Sequence, residues 1–215
     1  MSLITLKNIK KQYGKDQVLF ENLSLEIEKG EFVGLVGKSG AGKTTLLNII
    51  GLITDISAGT ITIDGHQNVS INSKSAMILR RYTIGYLFQN YGLIEDESVL
   101  WNLKLALEYK KKKKEKLKLI DKYLKQFELT DMLDKKVYQL SGGEQQRIAI
   151  IKLILQGSRI ILADEPTSGL DKENESIVMK LLKELNENGI TIIMVTHNMN
   201  LLDCFSRVIN VENFR

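Results

Sequence analysis

Phe32-Val33-Gly34-Leu35-Val36 carries no polar side chain and runs straight into Gly37-Lys38-Ser39-Gly40-Ala41-Gly42-Lys43-Thr44; after Thr45 comes the largely apolar stretch Leu46–Ile53. This order leaves few folds open. A short all-apolar strand is covered on both faces, which requires helices on either side of a parallel sheet. The loop fits the pattern G-x-x-x-x-G-K-S/T, in which glycines let the backbone curl so that successive N–H groups face a phosphate. From average composition a chance match in a chain of this length is on the order of one in a hundred, and the strand before and helix after supply the expected context. Residues Gly37, Lys38, Ser39, Gly40, Ala41, Gly42, Lys43, Thr44 and Thr45 are therefore read as a phosphate cradle. Lys43 is expected to reach the β- and γ-phosphates of a nucleotide, and the Thr44 hydroxyl to ligate Mg²⁺.

Two more runs read as buried parallel strands, Ile160–Ala163 and Thr191–Val195, with Lys172–Asn188 between them. There Ile177, Val178, Leu181, Leu182 and Leu185 make one helical stripe, and Asn188-Gly189 gives the stop. Leu3–Ile9 and Leu19–Ile27 alternate with period two, as strands with one face covered do. Ile84–Phe88 and Arg207–Val211 read as further strands, and the stretch from about Asn90 to Gln156 as helical throughout, capped at Ser98 and inserted between sheet strands. The expected class is α/β in one domain spanning 1–215, since 215 residues with 43% apolar and 26% charged content suit a single core. No apolar run approaches the ~18 residues of a membrane span, and no secretion signal is apparent. Cys204 is the one cysteine, so no disulfide framework is expected and a cytoplasmic setting is. A net charge of +4 suits anionic ligands but does not argue for nucleic acid.

The strand Ile160–Ala163 ends in Asp164-Glu165, at the sheet edge where α/β ligands sit. Asp164 is expected to hold Mg²⁺, directly or through water, and Glu165 to polarise an attacking water. Leu140-Ser141-Gly142-Gly143-Glu144-Gln145-Gln146-Arg147 puts a hydroxyl and bare N–H groups at a helix start, which is a ready anion site. Alone, it also fits an ordinary Ser-Gly-Gly turn with an N-cap.

These stretches together resemble ATP-binding-cassette (ABC) ATPases, and four further marks follow in that family's order. Tyr13 resembles the aromatic that stacks on adenine, and Gln89 the glutamine that senses Mg²⁺ and the attacking water. Ser168-Gly169-Leu170-Asp171 resembles the D-loop that crosses the dimer interface, and His197 the switch histidine that contacts the γ-phosphate. The resemblance implies a RecA-like mixed-sheet core with an antiparallel β subdomain, at about 1–89 and 157–215, and a helical subdomain at about 90–156. It implies ATP and Mg²⁺ as ligands, with Thr44, Gln89 and Asp164 around the metal. Lys43, Gln89, Glu165 and His197 would act in hydrolysis. Ser141, Gly142, Gly143, Glu144 and Gln145 would act in trans, on the ATP held by a second copy of the chain, so a homodimer is implied.

The loop sequence and Ala163-Asp164-Glu165-Pro166-Thr167-Ser168-Gly169-Leu170-Asp171 most resemble the lipoprotein-releasing, macrolide-export and bacteriocin-export ATPases. That subgroup works at the inner face of the cell membrane on separate permease subunits, and Tyr91, Leu93 and Ile94 would either rim the groove that receives the permease or cap the helical core. Other classes within the resemblance are a regulator of a membrane partner, as in cell division, and a soluble assembly ATPase. No nucleic-acid partner is implied. Two features stand apart: Ile148–Ile154, where many relatives carry an Ala-Arg-Ala pattern, and Lys110–Lys114, read as a solvated helix face or, second, a contact for phospholipid head groups.

Overall fold

The computed structural model describes residues 2–14, 17–108 and 113–214; the side chains of Lys110–Lys114 lie outside what it describes. Its strands form two sheets. β1 (Ser2–Tyr13), β2 (Gln17–Glu28) and β4 (Ala58–Ile63) make an antiparallel sheet in the order β2-β1-β4. β3 (Phe32–Val36), β5 (Ile84–Leu87), β6 (Ile160–Asp164), β7 (Thr191–Val195) and β8 (Arg207–Asn210) make a parallel sheet in the order β5-β6-β7-β3-β8. The apolar runs at β3, β6 and β7 sit at its centre, where both faces are covered.

Alternation along each central strand sends side chains into two separate cores. Val33, Leu35, Leu162, Ile193 and Val195 pack against α1 (Lys43–Ile50), α2 (Lys74–Tyr82) and the antiparallel sheet. Phe32, Ile161, Ala163, Ile192 and Met194 face the opposite way, onto α5 (Gly142–Gln156) and α6 (Lys172–Glu187). That second core continues into α3 (Val99–Ala106) and α4 (Lys113–Gln126). Gly34 is required on this face, because a Cβ there would lie 2.5 Å from the Phe205 ring, which stacks edge-on against Phe32.

Three expectations need correction. Residues 90–156 are not helical throughout: α3, α4 and α5 are separated by turns, and Thr130–Met132 and Val137–Gln139 are only single 3₁₀ turns. The helix after the phosphate loop begins at Lys43 rather than Leu46, because Gly42 in the left-handed region is its N-cap and the end of the loop is its first turn. β4 and α2 add a strand and a helix beyond those expected from the sequence; Ile61 and Ile63 alternate, and Ser73 accepts from the Ala76 N–H as an N-cap.

The turn between β5 and α3 is pinned by Asn102, which is fully buried. Its Oδ1 accepts from the Ile94 N–H at 2.8 Å, and its Nδ2 donates to the Ile94 and Ser98 carbonyls at 3.1 Å each. Asn102→Ala would strand these groups in a dry setting, at a cost of about 1–3 kcal/mol. The expected result is a lower urea midpoint with an unchanged slope; an unchanged midpoint contradicts the role given to Asn102.

Candidate active site

The C-terminal ends of β3, β6 and β7 meet at one edge of the parallel sheet, and each delivers part of the site. From β3 comes the phosphate loop, curled through left-handed backbone at Gly37 (φ 142°), Gly40 (φ 73°) and Gly42 (φ 98°). A Cβ at Gly42 would strike the Phe20 ring at 2.8 Å, so the loop needs glycine there for space as well as for backbone conformation. Lys43 is buried, and its ammonium donates to the carbonyls of Gly37 at 2.8 Å and Lys38 at 2.9 Å. Burial holds its pKa below the usual lysine value against the opposing pull of Glu165, Asp164 and Glu212. An ammonium already stripped of water and resting on its own loop's carbonyls is well placed to take a phosphate instead.

From β6 comes Asp164, whose Oδ1 accepts from the Thr44 hydroxyl at 3.1 Å. Burial raises the Asp164 pKa, Glu165 adds to the rise, and the Thr44 bond and Lys43 counter it. Such a carboxylate gains from a divalent cation beside it. Among the described residues no cluster of three or more His, Cys, Asp and Glu exists. Mg²⁺ does not need one, because it keeps waters and phosphate oxygens and takes one or two protein ligands. The Thr44–Asp164 pair therefore fits that ion.

Glu165 follows, with φ 47°, a left-handed conformation that a residue with a Cβ seldom adopts. It is held there by its own N–H donating to the Val195 carbonyl at 3.1 Å and by Ser168 N–H donating to its carbonyl at 3.0 Å. From β7 comes His197, whose Nε2 lies 2.9 Å from Glu165 Oε1. A cavity of about 350 Å³ is lined by Tyr13, Lys43, Thr44, Glu165 and His197 with the rest of the loop. Tyr13 stands half-exposed at its rim, its hydroxyl 3.5 Å from Thr45 Oγ1 and Lys11 Nζ 4.6 Å from its ring centroid. Gln89 is exposed in the turn after β5 and does not line this cavity.

Ser141, Gly142, Gly143, Glu144 and Gln145 lie elsewhere. They begin α5, whose N-cap is Ser141, and Ser141, Glu144 and Arg147 line a separate cavity of about 650 Å³ against α6. Asp171 caps α6: its two oxygens accept from the Asn174 backbone and side-chain N–H groups at 2.8 and 2.9 Å, which keep its pKa low. Asn174 in turn accepts from Arg147 Nη1 at 3.1 Å, and a Cβ on Gly143 would collide with its amide. One α6 turn thus fixes the start of α5. The next residue, Glu175, accepts from Asn198 Nδ2 at 2.9 Å beside His197. The contact of Asn174 with Gly143 has no sequence spacing to announce it. The unusual Lys152 has a use: its half-buried ammonium, with pKa lowered by burial, donates to the Gly92 carbonyl at 2.8 Å and ties α5 to the turn after Gln89.

A phosphate loop at a parallel sheet's carboxyl edge, with a Thr–Asp pair and a glutamate beside it, defines a phosphate-loop nucleotide hydrolase. The chain matches the ABC transporter family over residues 20–168 and belongs to it, as an ATP-binding and ATP-hydrolysing cassette. It is 42% identical over 212 residues, 98% of its length, to the macrolide export ATP-binding/permease protein MacB of Campylobacter jejuni, of which it spans 33%. It is 40% identical to the uncharacterised ABC transporter ATP-binding protein MJ1508 of Methanocaldococcus jannaschii, covering 98% of this chain and 96% of that one. Its fold is similar to the dimeric post-hydrolysis structure of the ATP-binding cassette MJ0796 bound to ADP and Pi, with a TM-score of 0.87 and 37% identity over 96% of this chain and 93% of that one. Among the described residues no helix is long and apolar enough to cross a membrane.

Proposed function

We propose that the chain works as a homodimer enclosing two ATP molecules, each between the phosphate loop of one copy and the Ser141–Gln145 turn of the other. One observation carries this: the cavity that holds Lys43, Thr44, Glu165 and His197 contains no residue of 140–147, whereas Ser141, Glu144 and Arg147 line a different cavity of the same chain. A turn built for an anion but remote from the chain's own phosphate loop serves another copy. In this reading Tyr13 stacks on adenine, Lys43 and residues 37–45 bind the phosphates, and Thr44 and Asp164 would hold Mg²⁺, which supplies charge neutralisation at the phosphates. Gln89, exposed in the turn after β5, would reach the metal only by a movement of that turn. Glu165 takes the proton of the attacking water while His197 orients it and bonds the γ-phosphate. Asp171 lies at the dimer interface. The catalytic core is residues 1–89 and 157–215, and residues 90–156 form a helical unit that carries the trans-acting turn.

ATP closes the dimer and its cleavage reopens it, a two-state element that a membrane permease reads. The MacB relative joins ATP-binding and permease functions in one protein, of which this chain matches about a third. That favours export, at the cytoplasmic face of the cell membrane, through an integral-membrane permease. The test is affinity capture of the chain from solubilised membranes of its own host. An integral-membrane permease that retains the chain and raises its ATP turnover is expected; recovery with only soluble scaffold proteins or cell-division proteins overturns the export role.

A further inference from the structure

The trans-acting turn holds a feature that works against the anion it receives. Glu144 folds back over the first turn of α5, and one of its oxygens, Oε2, accepts from the Ser141 N–H at 2.7 Å and from the Ser141 hydroxyl at 2.8 Å. The Glu144 N–H donates to Ser141 Oγ at 3.4 Å, completing a reciprocal cap. Gln145, the other long polar side chain here, also turns inward, donating to the Leu140 carbonyl at 3.0 Å. Two consequences follow. The hydroxyl proton and the N–H that a phosphate oxygen would attract at this turn are already held by a carboxylate. And a negative charge stands on the same Ser141 donors that a second, larger negative charge must approach.

The carboxylate is ionised at neutral pH. Desolvation, the largest single influence, pushes its pKa up, but the two Ser141 bonds, Arg147 and Lys135 together bring it below the ordinary value. Neutralisation by those cations is partial, since Arg147 Nη1 is directed at Asn174. We propose that Glu144 is a charged latch on the trans-acting turn: it holds Ser141 in the open cassette, opposes the γ-phosphate of the partner's ATP, and so limits how tightly the closed dimer holds. This rests on the composite site proposed above. It makes Glu144 a positioning residue that acts through Ser141 and through its field, and it biases the ATP-bound closed state toward reopening.

Glu144→Gln separates charge from capping, because the amide oxygen still accepts from the Ser141 N–H. The experiment compares Glu165→Gln with Glu165→Gln/Glu144→Gln, both without hydrolysis, by titrating ATP·Mg²⁺ and reading dimer by light scattering. Two charges about 6 Å apart at an effective dielectric between 20 and 80 correspond to roughly a threefold to hundredfold change per site. The double variant is therefore expected to dimerise at about tenfold lower ATP. The gap is expected to narrow from 0.05 M to 0.5 M salt, as screening weakens a repulsion between partly exposed charges. A lost cap would weaken the dimer and show no such salt dependence. Equal midpoints, or a weaker dimer in the double variant, overturn the latch alone. A Glu165→Gln chain that stays monomeric at every ATP concentration overturns the composite site and the latch with it.

Discussion

Glu165→Gln is expected to keep ATP binding, lose hydrolysis by about 10²–10⁴-fold and accumulate as an ATP-bound dimer. Gln is the same size, and its amide oxygen can still meet His197 Nε2, which lies 2.9 Å from Glu165 Oε1. What it cannot do is accept a proton from water. The left-handed backbone at position 165 is fixed by the Val195 and Ser168 backbone bonds, which the substitution leaves in place. So the fold and phosphate loop are undisturbed, and the loss falls on proton transfer alone. If ATP closes the dimer and cleavage opens it, stopping cleavage shifts the population to the closed state by mass action. Light scattering with ATP and Mg²⁺ should give twice the chain mass, and ADP should not. Turnover within tenfold of the unaltered chain removes Glu165 from its role, and monomer alone with ATP removes the closed dimer.

The parts of this molecule that could be read from sequence are those whose physics is local. The three buried strands at β3, β6 and β7 announce themselves because a nearly all-apolar run of four or five residues has few other stable settings. The loop at 37–44 is legible because its glycines are needed for backbone shape, and the φ values at Gly37, Gly40 and Gly42 bear that out. The Ser98 and Ser141 caps follow the same logic, each side chain accepting from an N–H three residues on. What failed was continuity. Residues 90–156 contain few Gly or Pro to mark their turns, and the breaks are instead imposed by tertiary bonds such as those of Asn102 to Ile94. Likewise the α6 turn that braces α5 through Asn174 and Arg147 joins residues 27 apart, and no periodicity reports a contact between helices. The placement of Gly143 against Asn174 shows the cost of that blindness: its glycine reads as an anion-binding feature, yet it is also a packing requirement.

Ser141→Arg and Lys43→Ala are each expected to abolish turnover alone, and to restore it when mixed. Lys43→Ala removes the one buried ammonium at the loop, and with it charge stabilisation worth about 10²–10³-fold or more in comparable sites. Ser141→Arg puts a long side chain where a phosphate oxygen would sit. It also removes an N-cap, but that costs only about 1 kcal/mol, so the chain remains folded and its own phosphate loop still binds ATP. Each homodimer then has two defective sites. In a two-fold dimer of the two variants, however, the lesions segregate: one site takes its loop and its turn from the unaltered halves, and the other takes both lesions. With equal amounts and random pairing, half the dimers are mixed and each has one working site of two, giving about a quarter of full turnover. If Ser141 instead served the phosphate loop of its own chain, every site in every dimer would carry a lesion, and mixing would recover nothing.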